Sequence, residues 1–247
     1  MPTDLPPASE RTQNPPPSVP STWQSGAIGA LLFGLLGGLV AWVAIEMFLP
    51  MIKIPDEITS KMMSVPEPMV QANNLKREVF TLAVIGGLAG LALAVGEGFF
   101  RRCWKTAILG GIACAVLGAA FGALAGYVGH VAYLQLKASR AMSDLVRTLA
   151  VHGSMFAIIG GGVGLALGAL LVRRIGAAIT CFIAGLLAAV LAVVIYTVLS
   201  AAFMPNTITD VVIPLKATER VLWICLATGL LGLVLAAIAR SAAPKRA

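Results

Sequence analysis

Residues 107–136 read AILGGIACAVLGAAFGALAGYVGHVAYLQL, thirty positions without one Asp, Glu, Lys or Arg and with a single histidine, His130. As an α-helix rising 1.5 Å per residue the stretch is about 45 Å long, enough to cross a hydrocarbon layer of about 30 Å. A helix apolar on every side has no water-facing stripe, so it reads as a membrane span. The whole chain has the same character. Of its 247 residues 58% are apolar and 12% charged, about half the charge of an ordinary globular domain. That balance excludes a water-soluble enzyme. Four cysteines without a C-x-x-C exclude a disulfide-stapled secreted domain, a zinc site and a redox pair. The net charge of +7 lies in short clusters at the ends of apolar runs rather than in a patch, so no nucleic-acid partner is expected.

Six apolar runs follow one another at 26–49, 79–96, 107–136, 149–172, 177–203 and 221–239. They predict an all-α membrane domain of six transmembrane helices over 23–240. Before it, residues 1–22 hold seven of the 14 prolines and almost no large apolar side chain, a composition that reads as a disordered tail. Its charged, apolar and cleavage features are out of order for a signal peptide, so the first run is expected to be retained. Pro17-Ser18-Val19-Pro20 has the P-x-x-P spacing of a polyproline ligand, common by chance in such tails. A short basic tail, 241–247, ends the chain.

The breaks between runs alternate. Two are tight and basic: one carries Arg101, Arg102 and Lys105, the other Arg173 and Arg174. The opposite breaks, 50–78, 137–148 and 204–220, are longer. With the termini and the tight turns on one side, each side holds nine basic residues. The turns concentrate theirs beside helix ends, where the positive-inside rule has most force, so both termini are expected in the cytoplasm of a cell-membrane protein. The same arginines can contact anionic headgroups.

An internal repeat is visible. Gly87-Leu-Ala-Gly90-Leu91-Ala-Leu93, Gly161-Gly-Val-Gly164-Leu165-Ala-Leu167 and Gly229-Leu-Leu-Gly232-Leu233-Val-Leu235 all read G-x-x-G-L-x-L, at offsets of 74 and 68 residues. The expectation is three parallel copies of a two-helix hairpin around an axis along the membrane normal. The competing reading is convergence among Gly/Leu-rich spans. Small residues also recur every fourth position: Gly110, Cys114, Gly118, Gly122 and Gly126 in the third run, Gly26, Ala30, Gly34 and Gly38 in the first. Such glycine-zipper faces let backbones approach in lipid, where no hydrophobic force draws helices together.

Polar groups inside the runs are the functional candidates, because each is costly there unless paired or wetted. Glu46, His130 and His152 are expected at one depth near the outer ends of their helices. Brought together, a carboxylate and two imidazoles could relay protons or bind a divalent cation weakly; apart, they are simply solvated at the interface. Glu97 stands four residues before Arg101, the spacing of a helical ion pair. Trp23 and Trp104 on the inner side, with Tyr133 and Trp223 on the outer, fit aromatic belts. No catalytic arrangement of Ser/His/Asp, Cys/His or H-E-x-x-H type occurs, and no cofactor or metal is implied.

Gly96-Glu97-Gly98-x-x-Arg101-Arg102, followed by Ala107-Ile-Leu-Gly110-Gly111, resembles uncharacterised bacterial multi-pass proteins in which an E-G turn and paired arginines separate glycine-rich helices. The resemblance covers the second to fifth runs and implies no activity. The chain departs from it at Arg173, which no Glu precedes in that pattern. Two functional classes remain. One is a non-enzymatic structural or interaction protein whose partners are the bilayer, itself or other membrane proteins; the other is a small-solute or ion transporter or channel. A water-lined cavity on the axis would favour transport, and a dry Gly/Ala/Leu centre would favour packing.

Overall fold

The computed structural model describes residues 22–52, 66–101, 104–138, 143–172, 175–203 and 211–241. Nearly all of them are helical, and none of the described residues lies in a strand. The helices are α1 Thr22–Phe48, α2 Glu67–Arg101, α3 Trp104–Ala138, α4 Asp144–Leu167, α5 Ile175–Phe203 and α6 Ala217–Ser241. A 3-10 turn, Leu49–Met51, extends α1, and a π-helical turn, Gly168–Val172, extends α4. All six helices contain a stretch long and apolar enough to span a membrane, so this is a multi-pass membrane protein. The Pro-rich tail, the C-terminal 242–247, Arg102, Cys103, Arg173 and Arg174 lie outside the described residues, as do the side chains of Arg101, Lys105, Trp23 and Trp104.

α2 begins twelve residues before the apolar run that signals it, at Glu67 rather than position 79. Its first turn explains why. The amides of Met69 and Val70 donate to the Pro66 carbonyl, Glu67 places an acid at the positive end of the helix, and Gln71 Nε2 donates to Glu67 Oε1 over 3.2 Å. The 35 residues of α2 make a helix about 52 Å long, so it projects well past a hydrocarbon layer of about 30 Å. We call the end of the bundle where α2 starts distal, and the end of the α2–α3 and α4–α5 turns proximal. α4 likewise starts ahead of its apolar run, where Ser143 Oγ accepts from the Val146 amide.

The six helices form a closed ring. Each packs on its neighbours in sequence, and α6 returns to pack on α1 more extensively than α2 does. α2, α4 and α6 also touch across the centre. Outward faces are apolar, as lipid requires: Leu32 and Leu36 on α1, Leu109 and Val116 on α3, Leu187 and Val198 on α5 are exposed.

The α2–α3, α4–α5 and α6–α1 contacts share one register. A Cβ on Gly86 would strike the Gly118 carbonyl, one on Gly160 the Gly185 carbonyl, and one on Gly34 the Thr228 carbonyl. Four residues along, Gly90 meets Cys114, Gly164 meets Cys181, and Gly232 meets Ala30. Positions 86, 160 and 228 are separated by the same 74 and 68 residues as the G-x-x-G-L-x-L motifs. Positions 34, 118 and 185 give offsets of 84 and 67, as do 30, 114 and 181. The backbones are too close at these points for any larger side chain. Gly122 packs on Leu82, Gly126 on Val79 and Gly38 on Cys225, while Gly110 is half-buried.

Candidate functional site: a polar layer and its distal pocket

Glu78 lies 23 residues from Arg101, about 35 Å along α2, and so falls at the distal edge of a layer whose proximal edge is the basic turn. One turn of each neighbouring helix carries a polar group at the same depth. His130 Nδ1 of α3 lies 2.7 Å from Glu78 Oε2, both side chains being buried. Between α6 and α1, Arg220 Nε donates to Glu46 Oε1 over 2.7 Å and Nη2 to Glu46 Oε2 over 3.0 Å. This is the two-pronged geometry in which a guanidinium holds a carboxylate most firmly. The Nη1 of Arg220 donates to the carbonyls of Pro214, at 2.9 Å, and Leu215, at 2.6 Å. Arg220 thereby ties the segment before α6 to the end of α1.

His152 occupies the third place in the layer. Its Nε2 donates to the Val211 carbonyl at 2.9 Å, since a carbonyl only accepts. The ring packs against Tyr196, with centroids 5.9 Å apart, and against Trp223, 5.5 Å apart. Its Nδ1, the Thr81 hydroxyl and the Trp223 indole N–H are buried without a hydrogen-bond partner among the described residues.

These residues follow the register of the glycines. Positions 78, 152 and 220 are again 74 and 68 residues apart, and 46, 130 and 197 are 84 and 67 apart. Two of the three interfaces thus place an acid opposite a base, in opposite polarity: Glu78 of α2 faces His130 of α3, whereas Arg220 of α6 faces Glu46 of α1. At the third, the corresponding positions are His152 and Thr197, and the Thr197 hydroxyl donates to the Val193 carbonyl of its own helix. His152 turns to the 211–215 segment instead.

Glu46, His130 and His152 therefore do not act on one another. Each takes a different partner, because α1, α3 and α4 carry them at separate interfaces of the ring. No group of three His, Cys, Asp or Glu among the described residues is placed to hold a metal ion. Trp223, expected in an aromatic belt, is instead completely buried against Phe156, 4.8 Å between ring centroids. The pairing of Glu97 with Arg101 involves a side chain outside those described. Cys114 and Cys181 are buried free thiols, and Cys225 is half-buried.

Above the polar layer lies a half-open pocket of about 160 Å³. Asn74, Arg77 and Glu78 of α2, Tyr133 of α3, the 211–215 segment and Arg220 of α6 line it. Below the layer lies a gap of about 10 Å³, lined by Ile85, Ala89, Phe156, Ile159, Ala227 and Leu231 with Gly160, Ala189 and Thr228. The Thr228 hydroxyl is already bound to the Ile224 carbonyl at 2.9 Å. Such a gap is at the size limit for one water and gives it no polar partners, so it is dry.

No family model, curated protein or solved structure matches this chain. The functional reading therefore rests on the site. Glu78 and Arg220, which the apolar runs leave in loops, are its central ionisable groups. Extending the repeat offsets beyond the glycines would have found both, because they coincide with His152.

Proposed function

We propose that this chain is a non-enzymatic membrane protein that works by packing and interaction, with its distal face outside the cell and both termini in the cytoplasm. Its bundle is three copies of a two-helix hairpin about an axis along the membrane normal. The shared register of the three interfaces, carried from the glycines to the polar layer, supports the copies. The density of basic residues in the proximal turns supports the orientation. The small apolar gap below the polar layer carries the functional reading: conduction needs a wet or polar path through the midplane, and this gap is too small and too apolar to supply one. Partners are the bilayer and other membrane proteins, a second copy included, met through the apolar outward faces of α1, α3 and α5.

A transporter remains the second reading, favoured by the charged pocket at the distal end of the bundle. Flux separates the two. Liposomes carrying the purified protein are expected to hold proton and monovalent-ion gradients as long as empty liposomes do. Dissipation that is lost in the Glu78→Gln variant would overturn the packing reading.

A further inference from the structure

The distal pocket contains two arginines in different states. Arg220 has every nitrogen engaged: Nε and Nη2 by Glu46, Nη1 by two carbonyls of the pocket wall. Arg77 is half-buried on the same pocket and makes no hydrogen bond or ion pair with any described residue. The acceptors are also divided. Glu46 gives both oxygens to Arg220, while Glu78 gives Oε2 to His130 and leaves Oε1 without a hydrogen bond to a described residue. The Tyr133 ring stands beside them, with the Lys137 ammonium 5.5 Å from its centre. Subtracting the internal pairs leaves the Arg77 guanidinium and Glu78 Oε1, on adjacent residues of α2 and interacting through space, as the charged groups of the lining without a hydrogen bond to a described residue.

Two arginines and one glutamate line the pocket. Glu46, outside the lining, neutralises Arg220, which leaves Arg77 and Glu78 as the charged groups facing a ligand. A simple anion would satisfy Arg77 but face the Glu78 carboxylate; a simple cation would do the reverse. A small molecule with both poles satisfies both, and the bidentate fork of Arg77 suits its carboxylate. The pocket, about 160 Å³ and half-open, has room for a small amino acid or a headgroup of similar size.

We infer that this pocket binds a small zwitterion, its anionic group, a carboxylate or a phosphodiester, on Arg77 and its ammonium on Glu78 Oε1, with Arg220 holding the wall rather than the ligand. The inference does not depend on whether the bundle conducts. A free amino acid and a zwitterionic lipid headgroup share the two-pole chemistry, and the test distinguishes them.

Full-length protein in nanodiscs of phosphatidylglycerol is titrated calorimetrically with glycine, alanine, acetate, methylamine and inorganic phosphate. Glycine and alanine are expected to bind saturably, with acetate, methylamine and phosphate at least about tenfold weaker. Arg77→Gln, at a half-buried side chain without a hydrogen bond to a described residue, is expected to weaken glycine at least about tenfold while the melting temperature stays unchanged. Glu78→Gln serves as the second variant, with melting measured alongside because it also disturbs His130. Repetition in discs containing phosphatidylethanolamine identifies the source: competition with glycine makes a lipid headgroup the occupant, and no competition makes it a free solute. Absence of glycine binding, acetate or phosphate binding as well as glycine, or full glycine binding by folded Arg77→Gln protein overturns the inference.

Discussion

The middle of the bundle and its distal layer solve one packing problem in opposite ways. In the middle, helices meet through the smallest side chains, with Gly86 on Gly118 and Gly160 on Gly185, and nothing polar needs a partner across the interface. At the distal edge the same helix pairs meet through ionisable groups, Glu78 with His130 and Arg220 with Glu46. Small residues tolerate no enlargement but need no counterpart. Ionisable residues leave room for change in shape but need a partner of matched chemistry, since a lone charge at this depth is costly. The fold is set by the first kind of contact, and a site becomes available through the second.

The sharpest way to break this comparison is at the glycines. Gly185→Leu forces a side chain into the backbone of Gly160 and is expected to cost about 3 kcal/mol or more, read as loss of the cooperative melt in detergent. Arg220→Met removes one partner of the distal clasp, leaving the Glu46 carboxylate and the Pro214 and Leu215 carbonyls unmatched. About 2–3 kcal/mol is expected, and adding Glu46→Gln should recover part of it in a double-mutant cycle. His152→Phe keeps the ring and removes only the bond to Val211. It should cost about 1 kcal/mol and speed amide hydrogen exchange within 211–215. At the small end, a Cβ on Gly153 meets nothing within 4 Å, so Gly153→Ala is expected to leave melting unchanged or raise it by less than about 1 kcal/mol. Equal losses for Gly185→Leu and Gly153→Ala would remove the distinction between registered and incidental glycines.

The six spans were legible because lipid imposes a coarse rule that runs such as 107–136 satisfy without ambiguity. The start of α2 was not, because Asn73-Asn74-Leu75-Lys76-Arg77-Glu78 is polar and helical at once, and an apolar-run reading sees only its polarity. Glu46, His130 and His152 were legible as polar residues at a shared depth, but their partners were not. A contact such as Glu46 with Arg220 joins positions 174 residues apart, and which helices become neighbours follows from ring closure rather than from local pattern. Spacing alone aligned Glu78, His152 and Arg220, yet their different charges hid the correspondence. At two of the three interfaces the acid and the base exchange sides at the same register position.

Ring closure also bears on how the chain is made. Of the six helices α1 is made first, yet the helix it packs on most extensively is the last of the six. Until then α1 presents Gly34 and Gly38 without their Thr228 and Cys225 counterparts, and Glu46 without its guanidinium. A chain cut short before α6 therefore leaves that small-residue seam and the Glu46 carboxylate without their counterparts, and both are met only when α6 and its Arg220 are in place.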